Sequence, residues 1–157
     1  MKTIQNWLEE YGKSHQNSLN KNIHWICVPA IMFSLLGLLW SIPHHYFPYL
    51  YKDIQLNWAI IVTLAFIFYY FKLSKVMAAG MFLISVFLLL GNYLMQSYLE
   101  IALWKISLVI FGVAWVGQFM GHKIEGRKPS FFEDIQFLLI GPAWLLSFIY
   151  TKFNIKY

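Results

Sequence analysis

Long apolar runs decide what this chain can become. Ile23 to Ile42, Ile54 to Phe71 and Val76 to Met95 contain no Asp, Glu, Lys or Arg; Ile101 to Met120 contains only Lys105; and Ile135 to Tyr150 is again uncharged. About 18 consecutive apolar residues suffice for a helix to cross a bilayer core, and a helix satisfies its backbone hydrogen bonds where water is absent. Only 12% of the residues are charged, against about a quarter in a soluble domain. The sequence therefore predicts an all-α, polytopic membrane helix bundle with about five hydrophobic spans, one integral membrane domain over residues 1–157. The fifth run is the least regular. Gly141-Pro142 sits in its middle, and proline removes a backbone donor and crowds the preceding turn, so the run can kink or re-enter. Ser130 and Glu133 ahead of it have capping-box spacing. The single cysteine, Cys27, excludes an internal disulfide.

Residues 1–22 are polar, yet Ile4, Trp7, Leu8 and Tyr11 fall at the spacing of one helical stripe, which predicts an N-terminal amphipathic helix. Position 15 continues that stripe, so His15 projects from the apolar face. No signal peptide is expected, because the first apolar run starts only at Ile23 and no small-residue cleavage site follows it. Among Asn17, Asn20 and Asn22, Asn20 is expected to cap the first span. Pro29 is expected to loosen its first turns. Trp25, Trp40, Trp58 and Trp104 fall near span ends, as an interfacial belt requires.

The formal charge of +5 does not imply nucleic acid, since the basic residues are scattered in loops with no aromatic-interleaved stripe. With five spans, Lys2, Lys13, Lys21, Lys72, Lys75, Lys123, Arg127 and Lys128 share one side, and Lys52, Lys152 and Lys156 the other. The positive-inside rule then predicts a cytoplasmic N-terminus. Were the fifth run re-entrant, the tail lysines would join the majority.

The same topology sorts the histidines. His15 and His24 at the head of span one and His122 at the end of span four reach one membrane face, while His44 and His45 lie at the other. Several imidazoles at one interface can hold a divalent metal ion. The alternative, that each hydrogen-bonds separately at a headgroup boundary, stays open, because no His-Glu-x-x-His or cysteine cluster occurs. Gln118 precedes His122 by four and Glu125 follows it by three, so a helix continuing past Gly121 sets all three on one face. Glu125 is then a further ligand or an outer partner that orients an imidazole, or else a loop charge paired with Arg127 or Lys128.

Two blocks resemble a known family. Tyr11, His15, Asn17, Asn20, His24 and Pro29 form one; Trp115, Gln118, Gly121-His122, Glu125-Gly126-Arg127 and Pro129 form the other. Together they are similar to the membrane 2-hydroxy fatty acid dioxygenases of fungal α-oxidation and their bacterial relatives. That resemblance implies Fe(2+)-dependent cleavage of a 2-hydroxy long-chain fatty acid by O2, giving an acid one carbon shorter. It implies His15, His24 and His122 as metal-site and catalytic residues; Glu125, Gln118 and Asn20 beside them are the candidates for outer partners or an additional ligand. An acidic residue expected after the last proline is absent, the chain having Gly141-Pro142-Ala143-Trp144 there. The implied substrate suits the residues: its hydroxyl and carboxylate can chelate iron, its tail would lie among the spans and membrane lipid, and Arg127 has the planar fork to bind a carboxylate. The competing expectation is a non-catalytic membrane protein or transporter that binds a metal or proton. The sequence leaves the oligomeric state open.

Overall fold

The computed structural model describes residues 2–52, 54–128 and 136–157, so the Ser130–Glu133 capping box and Pro129 lie outside the described residues. Six helices are described: α1 (Ile4–Lys13), α2 (Ser18–Trp40), α3 (Trp58–Leu73), α4 (Lys75–Tyr98), α5 (Leu103–Glu125) and α6 (Phe137–Lys152). A small antiparallel hairpin, β1 (Tyr49–Tyr51) with β2 (Ile54–Gln55), links α2 to α3, so the second apolar run begins as a strand and turns helical only at Trp58. Asn57 accepts from the Ile60 N–H and sets that helix start.

α2 to α5 run alternately up and down, with α2 packed mainly on α5 and α3 on α4. Small residues let α2 and α5 approach closely, the arrangement membrane helices use when lipid supplies no hydrophobic drive between them. A side chain at Gly117 would meet Cys27, and one at Gly121 would meet the Asn20 amide oxygen. Outward, Ile26, Leu64, Phe68, Phe87, Val113 and Val116 are exposed. Apolar surface of that extent marks an interaction face, and α2, α4 and α5 are each long and apolar enough to cross a membrane.

The fifth apolar run departs from expectation. α6 has 16 residues, about 24 Å at the helical rise, and it does not run from one end of the bundle to the other. Phe137 packs on Trp7, Trp144 on His15 and Phe148 on Trp25. The Tyr70 hydroxyl donates to the Leu139 carbonyl, and the Tyr150 hydroxyl to that of Val76. All of these partners belong to one end of the bundle. α6 is buried on every side from Ile140 to Ser147 because α1 covers it, its Ile4, Trp7, Leu8 and Tyr11 stripe facing inward as the spacing predicts. The tail returns to the same end, where Gln5 Nε2 donates to the Tyr157 carbonyl at 2.7 Å. Both ends of the chain therefore lie together, and Lys152 and Lys156 belong with the basic majority. Of the about five spans expected, three described helices, α2, α4 and α5, have the length and hydropathy of a membrane crossing, while α3 and α6 are shorter apolar helices.

Two local expectations also change. α2 begins at Ser18, capped by Asn17, whose side chain accepts from the Leu19 and Asn20 N–H groups. Asn20, expected as the cap, is already inside the first turn. Trp40, expected in the interfacial belt, is buried with Leu36, Ala59 and Leu103.

Candidate metal centre

α1 stops at Lys13, leaving the last carbonyls of the helix without intrahelical partners. The Tyr11 carbonyl accepts from His15 Nδ1 at 2.7 Å, which folds the imidazole back under the helix it follows. The Tyr11 ring stacks on it, 4.1 Å between centroids and 14° from parallel, and Trp144 of α6 closes another side at 5.2 Å. His24, two turns into α2, donates from Nδ1 to the Asn20 carbonyl at 2.9 Å. His122 enters from the last turns of α5, its ring 4.9 Å from that of His15 and 5.1 Å from that of His24. One nitrogen of each ring lies within 4.8 Å of the others. The three rings are 0%, 1% and 5% exposed, which separates them from ordinary headgroup histidines.

With both Nδ1 atoms committed as donors to carbonyls, His15 Nε2 and His24 Nε2 present lone pairs to each other across 2.9 Å. Moving a proton from Nδ1 to Nε2 would break a carbonyl bond. Adding a proton is opposed by burial, which, reinforced by the neighbouring imidazoles, holds the His15 pKa down at about 3 despite the Tyr11 carbonyl. His122 Nδ1 is buried with no hydrogen-bond partner. Three neutral imidazoles with converging lone pairs are the form that binds a divalent ion, and the Nδ1–carbonyl bonds are the outer contacts that fix such ligands. The donor set fits a metal.

Glu125 joins the two halves of the site. α5 continues past Gly121 and ends at Gly126, whose φ of +72° closes it in the left-handed conformation. Gln118, His122 and Glu125 thus share a face, as the spacing predicts. Glu125 Oε1 accepts from the Gln16 N–H at 2.7 Å, and Oε2 from the Asn17 N–H at 2.9 Å and Asn20 Nδ2 at 3.0 Å. The carboxylate holds the loop after His15 and the N-terminus of α2, where a negative charge also favours the helix dipole. It does not reach the cluster of three nitrogens. The Asn20 amide oxygen is buried against Gly121 without a partner. Arg127 Nη1 donates to the Lys13 carbonyl at 3.0 Å, a second tie between α5 and the end of α1.

Gln118 is buried one turn below His122, and both line a cavity with Tyr11 and Val28. His44 and His45 lie at the other end of the bundle, where His44 Nδ1 bonds the Ile42 carbonyl. Sequence reasoning missed the aromatic enclosure: Tyr11 and Trp144 wall His15 on two sides. Tyr11, four residues before His15, was the available signal; Trp144 stands in the segment that lacks the expected acidic residue, and no local pattern ties it to the histidines.

A family model described as 2-hydroxy-palmitic acid dioxygenase Mpo1-like matches residues 1–153. A Saccharomyces cerevisiae protein named 2-hydroxy-palmitic acid dioxygenase MPO1 is 28% identical over 145 residues, which cover 91% of this chain and 77% of the yeast protein. No solved structure matches the chain.

Proposed function

The chain belongs to the Mpo1-like family, and from that premise we propose that it is a membrane-bound, Fe(II)-dependent dioxygenase that shortens 2-hydroxy fatty acids by one carbon. The observation that carries the reading is the close approach of His15 Nε2 and His24 Nε2 beside the buried His122, a donor set suited to a cation. His15, His24 and His122 would hold the iron. When bound, the metal supplies O2 activation and polarises the substrate hydroxyl.

The chain's own residues do the rest. Glu125 fixes the segment between His15 and α2, so the ligands are aligned before anything binds. Tyr11 and Trp144 keep water from His15. Gln118, buried beside His122, offers an amide to the substrate's polar end. Lys13, Lys21, Lys123 and Arg127 make the rim positive and draw in the carboxylate, with Arg127 already steadied by the Lys13 carbonyl. Cleavage of the bond between carbons 1 and 2 converts carbon 2 to the new carboxyl. With carbon 1 leaving as carbon dioxide and one water formed, the four electrons removed reduce both oxygen atoms, and no further reductant is needed. In the membrane, α2 to α5 cross, and the end with both termini, which bears every Lys and Arg except Lys52 and Lys105, faces the cytoplasm.

The test is O2 uptake by the Fe(II)-loaded protein with matched 2-hydroxy, 3-hydroxy and unsubstituted acids, followed by mass spectrometry of the product. Only the 2-hydroxy acid should be consumed rapidly and appear one carbon shorter. Equal turnover of the 2-hydroxy and unsubstituted acids, or turnover without O2, refutes the mechanism and favours a protein that binds metal without redox chemistry.

A further inference from the structure

Two cavities meet below the histidines. The smaller, about 60 Å³, touches His122, Gln118, Tyr11 and Val28. The larger, about 470 Å³, reaches Leu35, Phe66, Tyr70, Met81, Ser85 and Phe111. Ile31, Met32, Trp115, Leu138 and Pro142 line both, so only side chains separate them. The lining descends in step on the two central helices. On α2 it passes from Val28 through Ile31 and Met32 to Leu35, and on α5 from His122 through Gln118 and Trp115 to Phe111. The α5 path is eleven residues long, about 16 Å at the helical rise, and the α2 path seven, about 10 Å. The volume is that of a small-molecule site, roughly 300 to 1,000 Å³, with few polar groups at fixed places. Those groups are unevenly distributed. His122 and Gln118 stand at the upper end, while the larger cavity is mostly apolar, its polar side chains among the described residues being Tyr70, Ser85, Trp115 and Gln136.

A polar head with an apolar body is what such a shape accepts. We propose that the larger cavity is the acyl-chain site of this protein, with the 2-hydroxy carboxylate end at Gln118 and His122 and the tail running down between α2, α4 and α5. Leu35, Ser85 and Phe111 form its floor and set the longest tail that fits. The position of the head rests on the dioxygenase reading; the placement of the tail rests on the cavity alone.

The experiment uses the full chain in lipid nanodiscs and a 2-hydroxypalmitic acid bearing a photoreactive diazirine on its last carbon. Adducts are located by peptide mass spectrometry. Adducts are expected on Phe66, Tyr70, Met81 and Ser85, reduced at least fivefold by unlabelled 2-hydroxypalmitic acid. Ser85→Phe should fill the floor, lower the adduct yield severalfold and raise KM for long tails while short tails are unaffected. Leu35→Ala should enlarge it and shift preference to longer tails, a gain that a misfolded variant cannot give. Adducts confined to outward residues such as Phe87 and Val113, or equal labelling of the cavity by a diazirine phospholipid, overturn the proposal. Turnover together with outward adducts would sink the cavity assignment and leave the dioxygenase reading standing. Competed adducts in the cavity without turnover would do the reverse.

Discussion

Removing the Glu125 carboxylate should weaken metal binding by a bounded amount. In Glu125→Ala the acceptor of the Gln16 and Asn17 N–H groups and of Asn20 Nδ2 is lost. Hydrogen bonds to a charged group are worth about 1.5–3 kcal/mol each when buried. Glu125 is half-exposed, so water replaces part of what is lost and about 0.5–1 kcal/mol per bond is the appropriate figure. Three bonds then give a clasp of about 2 kcal/mol, and the metal can lose no more than the clasp contributes to ordering His15. At 1.4 kcal/mol per decade that corresponds to roughly 30-fold, inside the 10–100-fold range for outer partners of metal ligands. Glu125→Gln, which keeps one acceptor oxygen, should fall between. The assay is anaerobic Fe(II) titration of the detergent-solubilised protein against a chromophoric chelator. Unchanged affinity in Glu125→Ala would refute the clasp. Affinity lost as completely as in His122→Ala would make Glu125 a ligand instead.

The metal-free protein should lose stability on acidification. The His15 pKa is near 3 folded against 6.5 as the reference, so below pH 6.5 the unfolded chain binds the extra proton. The contribution is complete above pH 6.5 and falls by about 1.4 kcal/mol per pH unit toward pH 3, or about 2 kcal/mol at pH 5. Melting curves from pH 7.5 to 5 should slope accordingly and be shallower in His15→Gln; an unchanged slope in that variant would count against a buried neutral His15. Gly121→Ala sets a methyl against the Asn20 amide oxygen, and overpacking of this kind costs about 1–3 kcal/mol; a melting temperature equal to that of the parent would mean that α2 and α5 can separate freely. With Cys27 replaced, cysteine probes at positions 13, 128 and 157 should all be labelled from one side of the membrane and a probe at 45 from the other; a probe at 157 on the far side would restore the fifth crossing.

Much of this was legible in the residues. The apolar runs become helices within a few positions, and the Ile4, Trp7, Leu8, Tyr11 stripe faces inward. The three histidines, separated by up to about a hundred residues, converge because an even number of bundle helices intervenes. What was not legible has physical causes. Apolar character reports that a segment is dehydrated without saying by what, and α6 packs against α1 and the bundle. Three asparagines compete for one helix start, and Asn17 wins because Asn20 is drawn to Glu125 from α5, a contact over 105 positions that no local pattern encodes. Trp144 reaches His15 only once the chain has folded back on itself.

The central claim is that His15, His24 and His122 together hold one metal ion, and elemental analysis after Fe(II) loading tests it most directly. The parent protein, His44→Ala and His45→Ala should each retain one iron per chain, while His15→Ala, His24→Ala and His122→Ala should each retain close to none, with folding of every variant verified by its melting transition. Full iron occupancy in all three triad variants would contradict the account.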